Sequence, residues 1–318
     1  MPSENEILKK KLKRLETIPA DFVNTIPASE RKIYNDLVEA LKKLQLDSNG
    51  NVILNAENYS LIEVLGNDFE AAVQSSGYYD NLTDFIKEFN TQKSLNKAYY
   101  SKAVEGFENK DVFDLTYEQS KKTAVDILAE SSVKENLAIF KDNLNNAISN
   151  GSNILDVQQI ISESTVGTTG SNAKLGMLNR YAKQEANDLF AIADRNYTTT
   201  VAKEFGIEFY YYAGGEMDTT RCFCEERVGK TFHKKEIELW GEGKTTAGGL
   251  KSCGNPWQGM AAGTSKDTIF SLLGGYNCQH SLVPRGINET PIDVIERAIS
   301  EGYVNLEDLP EDIQNKLK

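Results

Sequence analysis

The chain has 318 residues, enough for about two domains with buried cores. With 40% hydrophobic and 26% charged residues, it has the composition of an ordinary soluble protein. Its net charge of −12 opposes nucleic-acid binding over most of the surface, because duplex binding depends on neutralising phosphates. Neither a membrane-spanning run nor a secretory signal is expected, since MPSENEILKKKLKR has no apolar core. We therefore expect a protein that stays on the cytoplasmic side of any membrane.

The N-terminal two-thirds of the chain is predicted to be helical. Ser29 precedes a run with apolar residues on one face, and the run ends at the turn signal Asp47–Gly50. Further helices are predicted near 56–75, 81–105, 117–149 and 153–164.

The Gly-, Thr- and Ser-rich segment 167–172 is the best candidate linker, since its residues favour turns and oppose helix continuation. We place a domain boundary inside 165–175. The prediction is a helical domain or arm at 1–170 and a C-terminal domain at 171–318, and limited proteolysis should cut first between them.

After this linker the pattern changes twice. A continuous apolar stripe predicts a long helix over 178–201 that stops near Gly206. The aromatic and β-branched residues of 207–212 then predict a strand. The segment 241–275 is a long Gly-, Thr- and Ser-rich loop, which needs pins such as Trp240, Trp257 or a metal site. Two short helices are expected at about 292–300 and 308–317. The fold class is therefore α+β, a mainly helical N-terminal two-thirds followed by a small, loop-rich C-terminal domain with a few short strands.

All cysteines and histidines of the chain fall between residues 222 and 280. Cys222 and Cys224 form one short pair, and Cys278 and His280 form another, which is the general arrangement of a closed tetrahedral zinc site. Buried free thiols are the alternative. A Cys222–Cys224 disulfide would be strained, and longer-range disulfides are disfavoured in a chain that looks cytoplasmic. His233 or Asp218 could replace Cys222 as a ligand, because a one-residue gap between cysteines is unusual. The prediction is a structural zinc ion with no open position.

Familiar catalytic patterns do not fit this sequence. The segment Gly241–Thr245 resembles a phosphate-binding loop, but Glu238 occupies the position of its first glycine. The zinc-protease, deaminase and nucleophile-elbow spacings do not occur either. We therefore expect no enzymatic activity.

Lysines 9, 10, 11 and 13 and Arg14 form a basic run in an otherwise acidic chain. Such a run is usually a solvated helix face. Its functional interpretation is contact with a partner protein, and not with DNA, since the field of the rest of the chain opposes DNA approach.

Two segments resemble the C-terminal signature of the Mu F-like family of phage minor head proteins. They are Asp218–Lys230, which reads DTTRCFCEERVGK, and Gly274–Pro284, which reads GGYNCQHSLVP, with Trp257-Gln258-Gly259 between them. The long helix and short strand at 178–212 also resemble the family. The likeness covers roughly 175–285, and it departs where many members have a first cysteine and this chain has Arg221.

This resemblance implies a low-copy structural protein inside the head of a tailed phage, near the portal, which assists head assembly or DNA delivery. The implied partners are the portal protein and other head proteins, and DNA contact is not primary. The implied location is the virion, assembled in the host cytoplasm. Two alternatives stay open, a zinc-dependent or toxin-like enzyme and a nucleic-acid-binding module. The second would use the basic run or the residues Arg221, Arg227, Lys230, Lys234 and Lys235.

Overall fold

The computed structural model describes residues 2–171, 173–215 and 220–318. These residues are mainly helical up to Glu204, and a small α+β part with a three-stranded antiparallel sheet follows. The fold class predicted from the sequence is confirmed. Within the described ranges, no helix combines the length and the apolar character that crossing a membrane requires.

The helical part is built from long elements joined by short turns. Its helices are α1 (Glu4–Leu41), α2 (Ala56–Ser75), α3 (Tyr78–Ala103), α4 (Asp111–Val125), α5 (Ser132–Asn150), α6 (Ile154–Thr165) and α7 (Met177–Glu204), with a π-helical turn (Asp126–Ser131) between α4 and α5.

Side-chain caps fix the start of two of these helices where the sequence predicts them. Asn55 accepts a hydrogen bond from the backbone N–H of Asn58 at 2.8 Å and caps α2. Asn153 caps α6 in the same way, through the N–H of Leu155 at 3.1 Å.

Helix α1 begins at Glu4, well before the start expected after Ser29. The expectation was wrong because Pro19 and Pro27 lie inside the helix, where each removes a backbone hydrogen bond. A buried apolar row offsets this loss. Its members lie four, seven or eight positions apart, which keeps them on one face of the helix: Ile7, Leu15, Phe22, Ile26, Ile33 and Leu37.

The C-terminal part carries the sheet. Its elements are β1 (Phe209–Ala213), α8 (Cys222–Glu225), β2 (Thr231–His233), α9 (Lys234–Gly241), α10 (Ile269–Leu272), β3 (Ser281–Arg285), α11 (Ile292–Ser300) and α12 (Glu311–Lys316). The strand order is β2-β1-β3, and both pairs are antiparallel. Tyr210 of β1 lies opposite Phe232 on one side and Pro284 on the other. The strand predicted at 207–212 is confirmed as the central strand.

Aromatic side chains pin the long loop between α9 and β3, as predicted for the two tryptophans. Trp257 stacks on Phe223 with ring centroids 4.2 Å apart, and its indole N–H donates to the Gly274 carbonyl at 3.2 Å. Trp240 is fully buried and donates to the Ala247 carbonyl. Arg227 lies over the Phe223 ring at 3.6 Å and donates to the Thr245 carbonyl at 2.7 Å.

Close backbone contacts divide the chain into two compact units. The first unit consists of 1–16, 89–121 and 187–318, and the second consists of 17–88 and 122–186. Helices α1, α3, α4 and α7 contribute residues to both units. These units differ from the continuous domains 1–170 and 171–318, so the boundary at 165–175 stays a prediction about backbone cleavage.

A buried polar network lies within the first unit. Asp194 of α7 forms an ion pair with Lys11 of α1 at 3.3 Å, and both side chains are fully buried. Gln92 and Asn96 of α3 donate to the same carboxylate at 3.0 and 2.9 Å. Ser281, the first residue of β3, donates to it at 3.3 Å. The network therefore ties three helices to the strand that follows His280.

Candidate metal centre

Three potential metal ligands meet beside the sheet. Cys224 lies on the single turn of α8, while Cys278 and His280 come from the segment that leads into β3. The Sγ atoms of Cys224 and Cys278 are 3.9 Å apart, and Cys278 Sγ lies 3.8 Å from His280 Nδ1. All three side chains are buried, and their ligand atoms lie within 4.8 Å of one another. This triad could hold a metal ion.

The fourth expected ligand, Cys222, lies elsewhere. It forms a disulfide with Cys253, with the two Cα atoms 5.7 Å apart. Successive residues of a helix point about 100° apart, so Cys222 and Cys224 on one helical turn project in nearly opposite directions. The predicted four-ligand site is therefore wrong, because Cys222 is not available as a ligand. The expectation that long-range disulfides are disfavoured is also wrong. Cys253, which had no assigned role, is the partner.

Neither proposed substitute for Cys222 completes the site in the described residues. His233 is the N-cap of α9, where its Nδ1 accepts a hydrogen bond from the N–H of Lys235 at 3.2 Å. Its ring stacks on Tyr303, and burial lowers its pKa. Asp218 lies outside the described residues.

The two cysteines of the triad shift each other's pKa in opposite directions. A hydrogen bond from the Cys224 thiol, together with the nearby charge of Arg195, lowers the pKa of Cys278. The same hydrogen bond, together with burial, raises the pKa of Cys224. A metal ion bound by both sulfurs would displace the protons that the thiols carry.

Arg195 holds the segment that carries two of the three ligands. Its guanidinium is buried and donates to the backbone carbonyls of Ser271 at 2.8 Å, His280 at 2.9 Å and Cys278. This fork of donors fixes the turn before β3. Tyr212 of β1 positions the third ligand, because its hydroxyl donates to Cys224 Sγ at 3.2 Å.

Sequence reasoning missed both positioning residues. Tyr212 belongs to a tyrosine cluster that indicated only a strand. Arg195 lies in a long helix, where nothing in the sequence pattern distinguishes it from an ordinary polar residue. Two glycines next to the triad were the available sequence signal that other side chains pack closely there. A Cβ atom on Gly274 would overlap the sulfurs of Cys224 and Cys278, and one on Gly214 would overlap the ring of His280.

A cavity of about 580 Å³ opens beside the triad, within the first unit. Its described lining comprises Lys9, Leu12, Lys13, Glu16, Gly214, Gly215, Thr220, Arg221, Cys224, Asn277, Cys278, Gln279 and His280. The basic run of α1 is therefore divided. Lys9 and Lys13 line the cavity, Lys10 is exposed, and Lys11 is buried against Asp194.

The basic residues named for the nucleic-acid alternative do not form one exposed surface. Arg227 is fully buried between Phe223 and Trp240, and Arg14 is half-buried and hydrogen-bonded to Gln92 at 3.2 Å. Lys11 is also buried, in its ion pair with Asp194. A duplex-binding face therefore loses three of the positive charges that the sequence offered for it.

Comparison of the chain with family models, with curated proteins and with solved structures found no match. Function must therefore be argued from the residues that the fold brings together. The strongest such feature is the buried Cys224–Cys278–His280 triad, since thiolate and imidazole groups are common ligands of transition metals.

Proposed function

We propose that this chain is a structural protein of a tailed-phage head, in which zinc bound by Cys224, Cys278 and His280 stabilises the C-terminal part. The supporting observation is the meeting of two distant segments that resemble the Mu F-like signature. Cys224 belongs to the first segment and Cys278 and His280 to the second, and they come within 4.8 Å of one another.

The spacing of the triad fits zinc. Tetrahedral zinc with Zn–S bonds of about 2.3 Å holds two sulfurs about 3.8 Å apart, and a sulfur and an imidazole nitrogen about 3.6 Å apart. The corresponding distances are 3.9 and 3.8 Å. Two of the three ligand–ligand distances therefore match tetrahedral zinc, and the third, between Cys224 Sγ and the His280 ring nitrogen, lies within 4.8 Å.

The ion would act as a crosslink. It would join α8 to the start of β3, across a long loop whose many glycines carry high conformational entropy in the unfolded chain. Binding would contribute directly to folding, because the unfolded chain does not hold the three ligands together.

Metal analysis of the purified full-length protein tests the site. We expect about one zinc per chain, and Cys278→Ser should lose the metal and lower the free energy of unfolding. The double variant Cys222→Ser/Cys253→Ser is the matched control, since it removes two cysteines and the disulfide but leaves the triad intact. A wild-type protein that is folded and free of metal would contradict the zinc site. Zinc loss in the control would instead restore Cys222 as a ligand.

The phage-head proposal has its own test. In a phage or prophage that carries this gene, the chain should be present in purified DNA-filled heads, and a portal-protein gene should lie directly upstream. Lys10→Glu should lower incorporation, because Lys10 is the exposed lysine of the basic run that lies outside the cavity lining. Lys102→Glu, at another exposed position, serves as the control.

Heads that lack the chain would contradict the structural role. Unchanged incorporation of Lys10→Glu together with lost DNA retention would favour the nucleic-acid alternative, whose binding should depend steeply on salt.

A further inference from the structure

The triad supplies three ligands, and zinc takes four. A zinc ion with three protein ligands keeps one position for an exogenous group. Each member of the triad also lines the cavity of about 580 Å³, so a molecule in the cavity would have access to that position.

We infer that this cavity binds a phosphate group, one oxygen of which takes the fourth position on the zinc ion. The inference rests on the proposed zinc site and extends it, because it replaces the closed site expected from the sequence with one completed by a ligand.

Charge favours an anion in this cavity. Lys9, Lys13 and Arg221 line it, and Glu16 is the one acidic residue of its described lining. Neither lysine forms an ion pair with a described residue. Two thiolates would neutralise the charge of the zinc ion, so the cations of the wall would remain available for a dianion.

His280 offers a second, independent reason. The side chain is buried, with 6% of its surface exposed, and Nδ1 faces Cys278. Its Nε2 atom has no hydrogen-bond partner in the described part of the chain. A buried polar nitrogen without a partner is unusual in a folded protein. With Nδ1 on the metal, Nε2 points away from it, so an acceptor on the organic part of a phosphate ester would satisfy Nε2 while the phosphate group binds zinc.

The size of the cavity indicates the kind of phosphate. Inorganic phosphate alone would leave most of 580 Å³ empty, whereas a phosphate monoester of a small organic molecule would occupy more of it. The described lining contains no Phe, Tyr or Trp side chain, and Leu12 is its one large aliphatic side chain.

Cobalt substitution of the full-length protein provides the test. Cobalt(II) in a site with thiolate ligands absorbs visible light, and its spectrum reports a change of ligand. We expect inorganic phosphate to change this spectrum saturably, whereas acetate at equal concentration and ionic strength should not. A nucleoside 5′-monophosphate that binds more tightly than inorganic phosphate would identify an ester as the ligand, and equal affinity would identify free phosphate.

The lysines give the matched variants. Lys9→Gln/Lys13→Gln should raise the phosphate concentration at half-saturation by at least about tenfold, with metal content unchanged. Lys10→Gln, on the same helix but outside the cavity lining, should leave it unchanged.

The experiment distinguishes failure of the phosphate inference from failure of the zinc site. A protein that binds cobalt but shows no phosphate response overturns the phosphate inference and leaves the zinc site standing. Equal effects of the double variant and of Lys10→Gln also overturn it. A protein that takes up neither cobalt nor zinc overturns both.

Discussion

Lys11 occupies a core position of α1, within a row of apolar residues. A buried lysine costs several kcal/mol in desolvation, which a single ion pair offsets only in part. Here Asp194 also accepts hydrogen bonds from Gln92, Asn96 and Ser281, and Lys11 donates to the Thr198 hydroxyl at 3.3 Å, so each charge has more than one polar partner. The sequence pattern indicated a basic run but not this burial, because nothing local marks which lysine faces inward.

Glu30 is the residue for which the structure predicts a pH effect. Its carboxylate lies at the N-terminus of α7 and accepts a hydrogen bond from the N–H of Asn179 at 2.8 Å. Burial raises its pKa from 4.5 to about 7, although the hydrogen bonds from Asn179 and Leu178 oppose the rise. A raised carboxyl pKa contributes stability that is full below about pH 4.5 and is lost as the pH rises through about 7.

We therefore expect Glu30→Gln to remove the loss of stability that occurs as the pH rises, because glutamine keeps the hydrogen-bond acceptor without the charge. Relative to wild type, the variant should gain up to about 3 kcal/mol in free energy of unfolding between pH 5 and pH 8. Urea titrations at the two pH values measure it. Glu39→Gln, at an exposed position of the same helix, is the control. A parallel decline of wild type and Glu30→Gln would refute the assignment.

The cysteines show which features of the candidate metal site the sequence pattern could predict. The sequence predicted the association of Cys224, Cys278 and His280, since two ligand pairs from distant segments are typical of a metal site. It did not predict the direction of Cys222, which depends on the single helical turn of α8. It also missed Cys253, whose position in a Gly-rich loop carries no periodic signal.

At the scale of elements, the segment before β3 depends on Arg195. Arg195→Lys keeps the positive charge but cannot reproduce three donors in a planar fork. We expect about 10- to 100-fold weaker zinc binding, the usual effect of removing a group that orients metal ligands. Competition with a chromophoric chelator measures the affinity.

Arg180→Lys is the matched control, because Arg180 lies on the same helix at an exposed position. Zinc affinity equal to that of wild type in Arg195→Lys would show that the segment is held without the guanidinium.

Among the elements, those with a clear period and a cap could be predicted. Helices α2 and α11 have the predicted bounds, and α6 and α7 agree within three residues. The strand β2 was missed because three residues carry no detectable alternation. The first half of α1 was missed because tertiary burial offsets the cost of two prolines, which local propensity cannot show.

For the whole molecule, the three-segment first unit predicts the behaviour of fragments. A fragment of residues 171–318 lacks Lys11, Gln92 and Asn96, which leaves Asp194 as a charge without its buried partners. We expect this fragment to be poorly folded, with a weak or absent cooperative thermal transition, whereas the full chain melts cooperatively. Circular dichroism and NMR dispersion measure the difference.

Restoring the missing segments is the control. Co-expression of 1–170 with 171–318 should recover folded protein, because it returns both N-terminal segments of the first unit. A fragment 171–318 that melts cooperatively alone, near the full-chain temperature, would contradict the prediction and support a continuous domain.

The interrupted order of the two units also limits how this protein can exchange parts with others. The first unit is encoded in three separate stretches of the gene, with the second unit encoded between them. A single recombination event that moves one contiguous stretch would therefore carry an incomplete unit into its new host protein. The cavity would lose Lys9 and Lys13 if only the stretch with the cysteines were moved. Transfer of the Cys224–Cys278–His280 triad together with the cavity lysines Lys9 and Lys13 therefore requires transfer of nearly the entire gene.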